Sequence, residues 1–100
     1  MGSREPLLVE VSTHDSHAVM RLIGELDLST APLVVEGARD LVGVTTLLDL
    51  SGLTFMDAVG LSTVLQVVRA CGRVRVIRGP PQVHRVFEIT STKERLDWVT

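Results

Sequence analysis

Leu47-Leu48-Asp49-Leu50-Ser51-Gly52-Leu53-Thr54-Phe55-Met56-Asp57-Ala58-Val59-Gly60-Leu61-Ser62-Thr63-Val64-Leu65 decides the fold of this 100-residue chain. Its first residues, with Thr46 before them, make up Thr46–Leu50, apolar on successive positions, the pattern of a strand buried on both faces. A short loop follows, and Asp57 then opens an amphipathic helix. The carboxylate of Asp57 can accept from the orphan amides of the first turn. Met56 and Leu61 stand where a hydrophobic staple would place them. Leu61, Val64, Leu65 and Val68 recur at helical spacing.

Outward from this unit the punctuation is regular. Leu7–Ser12 and Ala18–Gly24 read as strands, and the polar Thr13–His17 between them reads as the turn of a hairpin. Ser29 and Thr30 are cap candidates before Pro32, a residue favoured in a first helical turn. The helix they open is expected to run to about Val42 on a stripe of Leu33, Val34, Ala38, Leu41 and Val42, with Gly43 ending it. Gly72 stops the second helix. Arg73–Arg78 is a fourth strand, and Gly79-Pro80-Pro81 breaks into a third helix whose inner face is Val83, Val86 and Phe87. Leu96, Trp98 and Val99 close the core in a last turn or strand. Strands reached through helices should run parallel to their neighbours. The result is a single α/β domain over residues 1–100, with residues 1–6 loose. Its expected core is Leu48, Leu50, Leu61, Val64, Leu65, Val76 and Phe87.

Composition narrows the functions open to it. The aromatics are only Phe55, Phe87 and Trp98, too few to make stacking platforms for single-stranded nucleic acid. Residues 1–57 carry nine acids and three bases, and residues 58–100 carry three acids and seven bases. Arg69, Arg73, Arg75, Arg78 and Arg85 form a basic flank that complements the acidic half without a nucleic-acid recognition element. The lone Cys71 excludes an internal disulfide and sits among apolar helical positions, as a small core residue does. No apolar run reaches the roughly 20 residues that span a bilayer, and no signal-like segment follows the N-terminus, so a cytoplasmic protein without membrane insertion is expected. His14-Asp15-Ser16-His17 lacks metal-ligand spacing and is expected to be a turn; no metal or cofactor is implied. His84 reads as a helix-surface histidine. Asp27 and Asp57 each follow a strand, where α/β folds carry function, but no catalytic set assembles around them. An enzyme is not expected.

Three segments together resemble the STAS family, the fold of bacterial anti-sigma factor antagonists. Gly24-Glu25-Leu26-Asp27 with Ser29-Thr30-Ala31 is similar to its second-strand exit. Leu48-Asp49-Leu50-Ser51 with Phe55-Met56-Asp57 and Gly60-Leu61 is similar to its phosphorylation loop, and Val83–Thr90 to its third helix. The resemblance covers about Leu7 to Trp98. It implies a small sandwich: a mixed four- or five-stranded sheet with helices mainly on one face.

The resemblance also implies a partner, an anti-sigma factor, including those of the kinase type, whose capture frees a sigma factor and so regulates transcription. The family's acids fall on Asp27 and Asp57, and its acceptor hydroxyls fall on Ala58 and Val59, which have none. Ser62 and Thr63, one turn further in, would have to present their hydroxyls from a formed helix. Asp27, Leu28, Asp57, Ala58, Val59 and Ser62 are therefore expected on one exposed binding surface without the usual serine switch. An adaptor subunit of another STAS assembly, a lipid-transport ATPase complex or a sensory scaffold, is the alternative.

Overall fold

The computed structural model describes residues 6–99. Strand β1 (Leu8–His14) turns at Asp15-Ser16 into β2 (His17–Leu26), and the two pair antiparallel from Leu8↔Ile23 to His14↔His17. Asp15 takes φ 55° to close this turn, so the His14–His17 tetrapeptide is the hairpin tip. Helix α1 (Ala31–Ala38) and a 3₁₀ turn (Arg39–Leu41) lead to β3 (Thr45–Met56). Helix α2 (Ala58–Cys71), β4 (Val74–Ile77), α3 (Pro81–Ile89), a second 3₁₀ turn (Lys93–Arg95) and β5 (Asp97–Trp98) complete the chain. The sheet order is β1-β2-β3-β4-β5, with every pair after the hairpin parallel. Parallel pairing follows from the helical crossovers between these strands.

The core lies between the helices and one face of the sheet. Met20, Leu22, Leu48, Leu50 and Val76 point into it from alternate strand positions, met by Val34, Leu61, Val64, Val83 and Phe87. Cys71 is buried there too. Residues of the other period form ion pairs across strands: Arg21 with Asp49 at 3.4 Å and Arg75 with Asp97 at 3.5 Å.

Four expectations are corrected. Helix α1 stops at Ala38, and Leu33 and Val42 are exposed; only Val34, Ala38 and Leu41 of the expected stripe are buried. The tighter 3₁₀ winding at Arg39–Leu41 rotates the last turn away from the helical period. Strand β3 does not end at Leu50 but runs to Met56 through two register shifts against β2. Leu65 is half-buried, because the inward stripe of α2 is Leu61, Val64, Val67 and Cys71, and Leu65 lies at its edge beside Val68, Arg95 and Leu96. His84 is not on the surface: it is 5 % exposed and packs against Phe87 and Trp98.

Candidate functional site at the carboxyl end of β2 and β3

The extension of β3 carries its exit to the level of the β2 exit. Glu25 stands opposite Phe55 and Leu26 opposite Met56. The Asp57 amide donates to the Leu26 carbonyl at 3.2 Å, and Thr54 Oγ1 donates to the Gly24 carbonyl at 3.2 Å. The first turn of α2 is pressed onto the same strand end. A Cβ on Gly60 would stand 2.6 Å from the Leu26 carbonyl oxygen and 2.9 Å from Met56 Cγ, so this close approach requires glycine.

Asp57 is the N-cap of α2, in extended backbone, with its Oδ1 accepting from the Gly60 amide at 2.8 Å. That is the expected Asp-x-x-N3 geometry, and Met56 and Leu61 are buried on either side of it as a staple requires. At the other end of α2, Gly72 takes φ 90° and its amide bonds back to the Val68 carbonyl.

Asp27 does something else. It is 4 % exposed, which corrects the expectation of an exposed binding acid. Its Oδ1 accepts from the Ser29 amide at 3.0 Å, the Ser29 hydroxyl at 2.8 Å and the Thr30 amide at 3.1 Å. Thr30 makes no side-chain cap of its own; its hydroxyl donates to the Glu25 carbonyl at 2.8 Å and accepts from the Asp27 amide at 2.9 Å. The Asp27 carbonyl then takes the Ala31 amide at 2.8 Å. Asp27 thus supplies the capping oxygen expected of Ser29 or Thr30. Two hydroxyls and a buried carboxylate tie the loop that presents Leu28.

Leu28 projects from that loop with 71 % of its surface exposed, and Val59 on the first turn of α2 is 38 % exposed. Ala58 and Ser62 are exposed as well, and Asp57 is half-buried. Five of the six expected residues therefore reach solvent at one end of the sheet, with Asp27 beneath them. Phe55, 43 % exposed on the last residues of β3, joins this end of the molecule. Sequence reasoning misses it because Phe55-Met56 reads as loop if the strand ends at Leu50; the alternation of Phe55 outward and Met56 inward is the available signal. Thr63 is buried, and its hydroxyl donates to the Val59 carbonyl at 2.8 Å, leaving Ser62 as the exposed hydroxyl of this turn.

Ala58 and Val59 carry no hydroxyl, and the polar groups of this end are the Asp57 carboxylate and the Ser62 hydroxyl. A surface cleft of about 700 Å³ lies at the other end of β2, lined by Val11, Asp15, His17, Gly37 and Leu41, away from these residues. Among the described residues no helix is long and apolar enough to cross a membrane.

Comparison with known proteins places this geometry. The STAS domain profile matches residues 9–99. No curated protein matched. Among solved structures, an anti-sigma factor antagonist from Mycobacterium paratuberculosis superposes with a TM-score of 0.83 at 22 % identity, over 98 % of this chain and 89 % of that one. The anti-sigma factor antagonist SpoIIAA in its unphosphorylated form gives 0.73 at 22 % identity, over 93 % and 89 %. The Bacillus cell fate determinant SpoIIAA in the phosphorylated form gives 0.68 at 22 % identity, over 93 % and 92 %. At such identities the superpositions speak for the fold, a five-stranded mixed sheet with three helices, while the profile match over most of the chain settles descent: this chain belongs to the STAS domain family.

Proposed function

We propose that this domain is an anti-sigma factor antagonist-like binding module that captures an anti-sigma factor through the end of the sheet built by Leu28, Asp57, Ala58, Val59 and Ser62, with Asp27 as the buried tie of the Leu28 loop. The observation that carries this is the exposed apolar character of that end in a STAS domain: Leu28 and Val59 face solvent at the two strand exits, beside a capped helix start, and Phe55 is exposed on the last residues of β3. Exposed apolar residues grouped in this way suit a protein partner. The module binds rather than catalyses, and it lacks a phosphate switch at the helix start. In a relative with a hydroxyl there, a phosphate would bring about −1.5 to −2 charge into the interface. Here Ala58 and Val59 bring no switchable charge to the contact, so control comes from the partner, its abundance or another signal.

The test has two arms. Titration calorimetry against the anti-sigma factors of the source organism should give a complex that Leu28→Ala weakens and Val59→Asp abolishes, with both variants folded. Binding instead to a transport ATPase subunit or a sensory scaffold would replace the reading with that of an adaptor. In the second arm, incubation with a cognate anti-sigma kinase and ATP, followed by mass spectrometry, should find the wild type unmodified and Ala58→Ser phosphorylated at the new hydroxyl. Phosphate on wild-type Ser62 or Thr63 would show a relocated switch and sink the claim of a domain without one.

A further inference from the structure

The sealed cluster of His84, Phe87 and Trp98 lies away from the binding end, where α3 meets β5. The His84 ring stands edge-on to Trp98, with centroids 4.8 Å apart and planes at 82°. Phe87 meets the same indole at 5.1 Å and 82°. His84 is 5 % exposed, and among the described residues neither ring nitrogen, both closed to solvent, has a hydrogen-bond partner. A buried imidazole with neither nitrogen satisfied is uncommon and costly. A cleft of about 260 Å³ is lined by Arg78, Gly79, Arg85, Glu88 and His84 itself, but both ring nitrogens are closed to solvent.

Strand β5 depends on this cluster. It is two residues long and pairs with β4 only through Arg75↔Asp97 and Val76↔Trp98. Beyond these pairs it is held by the Val99 amide to the Val76 carbonyl (2.8 Å), the Trp98 indole N–H to the Lys93 carbonyl (2.8 Å), and exposed contacts of Arg75 with Asp97 and the Trp98 carbonyl. The Trp98 ring adds edge-on packing against Phe87 and His84, which ties this short strand to α3.

We infer that His84 is a proton-sensitive latch on the C-terminal strand: neutral, it holds Trp98 and β5 on the sheet; protonated, it releases them and bares the edge of β4. A charged imidazole needs acceptors for two N–H groups, and this cluster offers aromatic edges instead. The charges that face it oppose protonation on balance. Arg78 after β4 and Lys93 in the 3₁₀ turn are cations, and Glu88 on α3 itself is the single anion acting on it. Arg85 lines the adjoining cleft, and Asp97 of β5 is taken by Arg75. Burial first, then Arg78, pushes the imidazole below its ordinary 6.5. The open state, in which the ring meets water, binds the proton at about 6.5. Closure is therefore strongest above that pH and weakens as pH falls below it, down to the depressed value of the closed state. Asp49, a buried carboxyl whose value is also lowered, acts below 3.8 and in a different window.

Trp98 is the single tryptophan and the chain has no tyrosine, so intrinsic fluorescence reports on this strand alone. On going from about pH 7.5 to about pH 5, the range over which a histidine charges, Trp98 emission should shift to the red and become more accessible to acrylamide, while far-UV circular dichroism holds. The protection factor of the Val99 amide should fall by up to about tenfold per pH unit inside the window, the limit for one linked proton. His84→Leu and His84→Phe should abolish this dependence, and the His14→Gln/His17→Gln double variant should keep it, since both those histidines are exposed on the hairpin. A wild type whose Trp98 emission and Val99 protection are unchanged over this range overturns the latch, as does an unchanged pH response in folded His84→Leu. Should both His84 variants fail to fold, the wild type decides by ring-proton NMR with amide exchange: His84 titrating below its ordinary 6.5, with Val99 protection lost as it charges, supports the latch, and His84 titrating at or above 6.5 refutes it.

Discussion

Two strand exits, Leu26-Asp27 and Met56-Asp57, end alike in sequence and sit side by side at one end of the sheet, yet their carboxylates have different work. Asp57 is half-buried and caps α2 through the Gly60 amide at 2.8 Å. Asp27 is buried and gathers the Ser29 amide and hydroxyl and the Thr30 amide around one oxygen. The difference lies in the residues after each acid. After Asp57 the helix starts at once, so the carboxylate meets an ordinary first turn. After Asp27 the chain runs three more residues before α1, and those amides have no helical partners of their own. The same residue type at the same topological place is a terminal cap in one case and the centre of a loop in the other.

Substitutions can break this contrast in graded steps. Leu26 is fully buried under both exits, and its carbonyl receives the Asp57 amide. Leu26→Ala should cost about 2–5 kcal/mol and lower the midpoint of denaturant unfolding more than any surface change at this end. Asp27→Ala leaves the amides of the Leu28 loop short of their acceptor and should cost about 1–3 kcal/mol. It should also weaken partner binding, because the loop that carries Leu28 loses its tie. A loss of binding with unchanged stability would instead make Asp27 a direct contact.

Asp57→Ala should be milder, about 1 kcal/mol, as for an ordinary N-cap. Asp57→Asn should recover most of that stability, since its amide oxygen can still accept from Gly60. If Asp57→Asn restores stability but not partner affinity, the charge itself belongs to the interface. Smallest in stability is Leu28→Ala, within about 0.5 kcal/mol, because the side chain is largely in solvent. Its effect should appear in partner affinity alone. A Leu28→Ala protein that binds as tightly as the wild type would move the interface off this loop.

Much of the architecture is legible because local signals agree with one another. The Asp57 cap, the Met56–Leu61 staple, the Gly72 stop and the Pro81 start each act within a few residues, and each is where the pattern puts it. The readings that fail depend on partners distant in sequence. Strand β3 continues past Leu50 because β2 offers it a ladder as far as Leu26, through bulges that no alternation announces. His84 is drawn inside because β5 brings Trp98 over it, fourteen residues later. The candidate site divides the same way: Leu28 and Val59 are legible as apolar residues at strand exits, whereas Phe55 becomes visible only with the extended strand.

The sequence by itself determined the strand and helix order, the parallel crossovers, the caps of α2, and the absence of a hydroxyl at Ala58 and Val59, since each is written in residue identity or short-range spacing. Tertiary structure alone decided which of two similar acids is buried, which face of α2 Leu65 occupies, and that a histidine in polar-looking surroundings is sealed against tryptophan. Burial belongs to no residue singly. It is set by what the rest of the chain lays over that residue, and two carboxylates or two histidines identical in sequence acquire different chemistry from it.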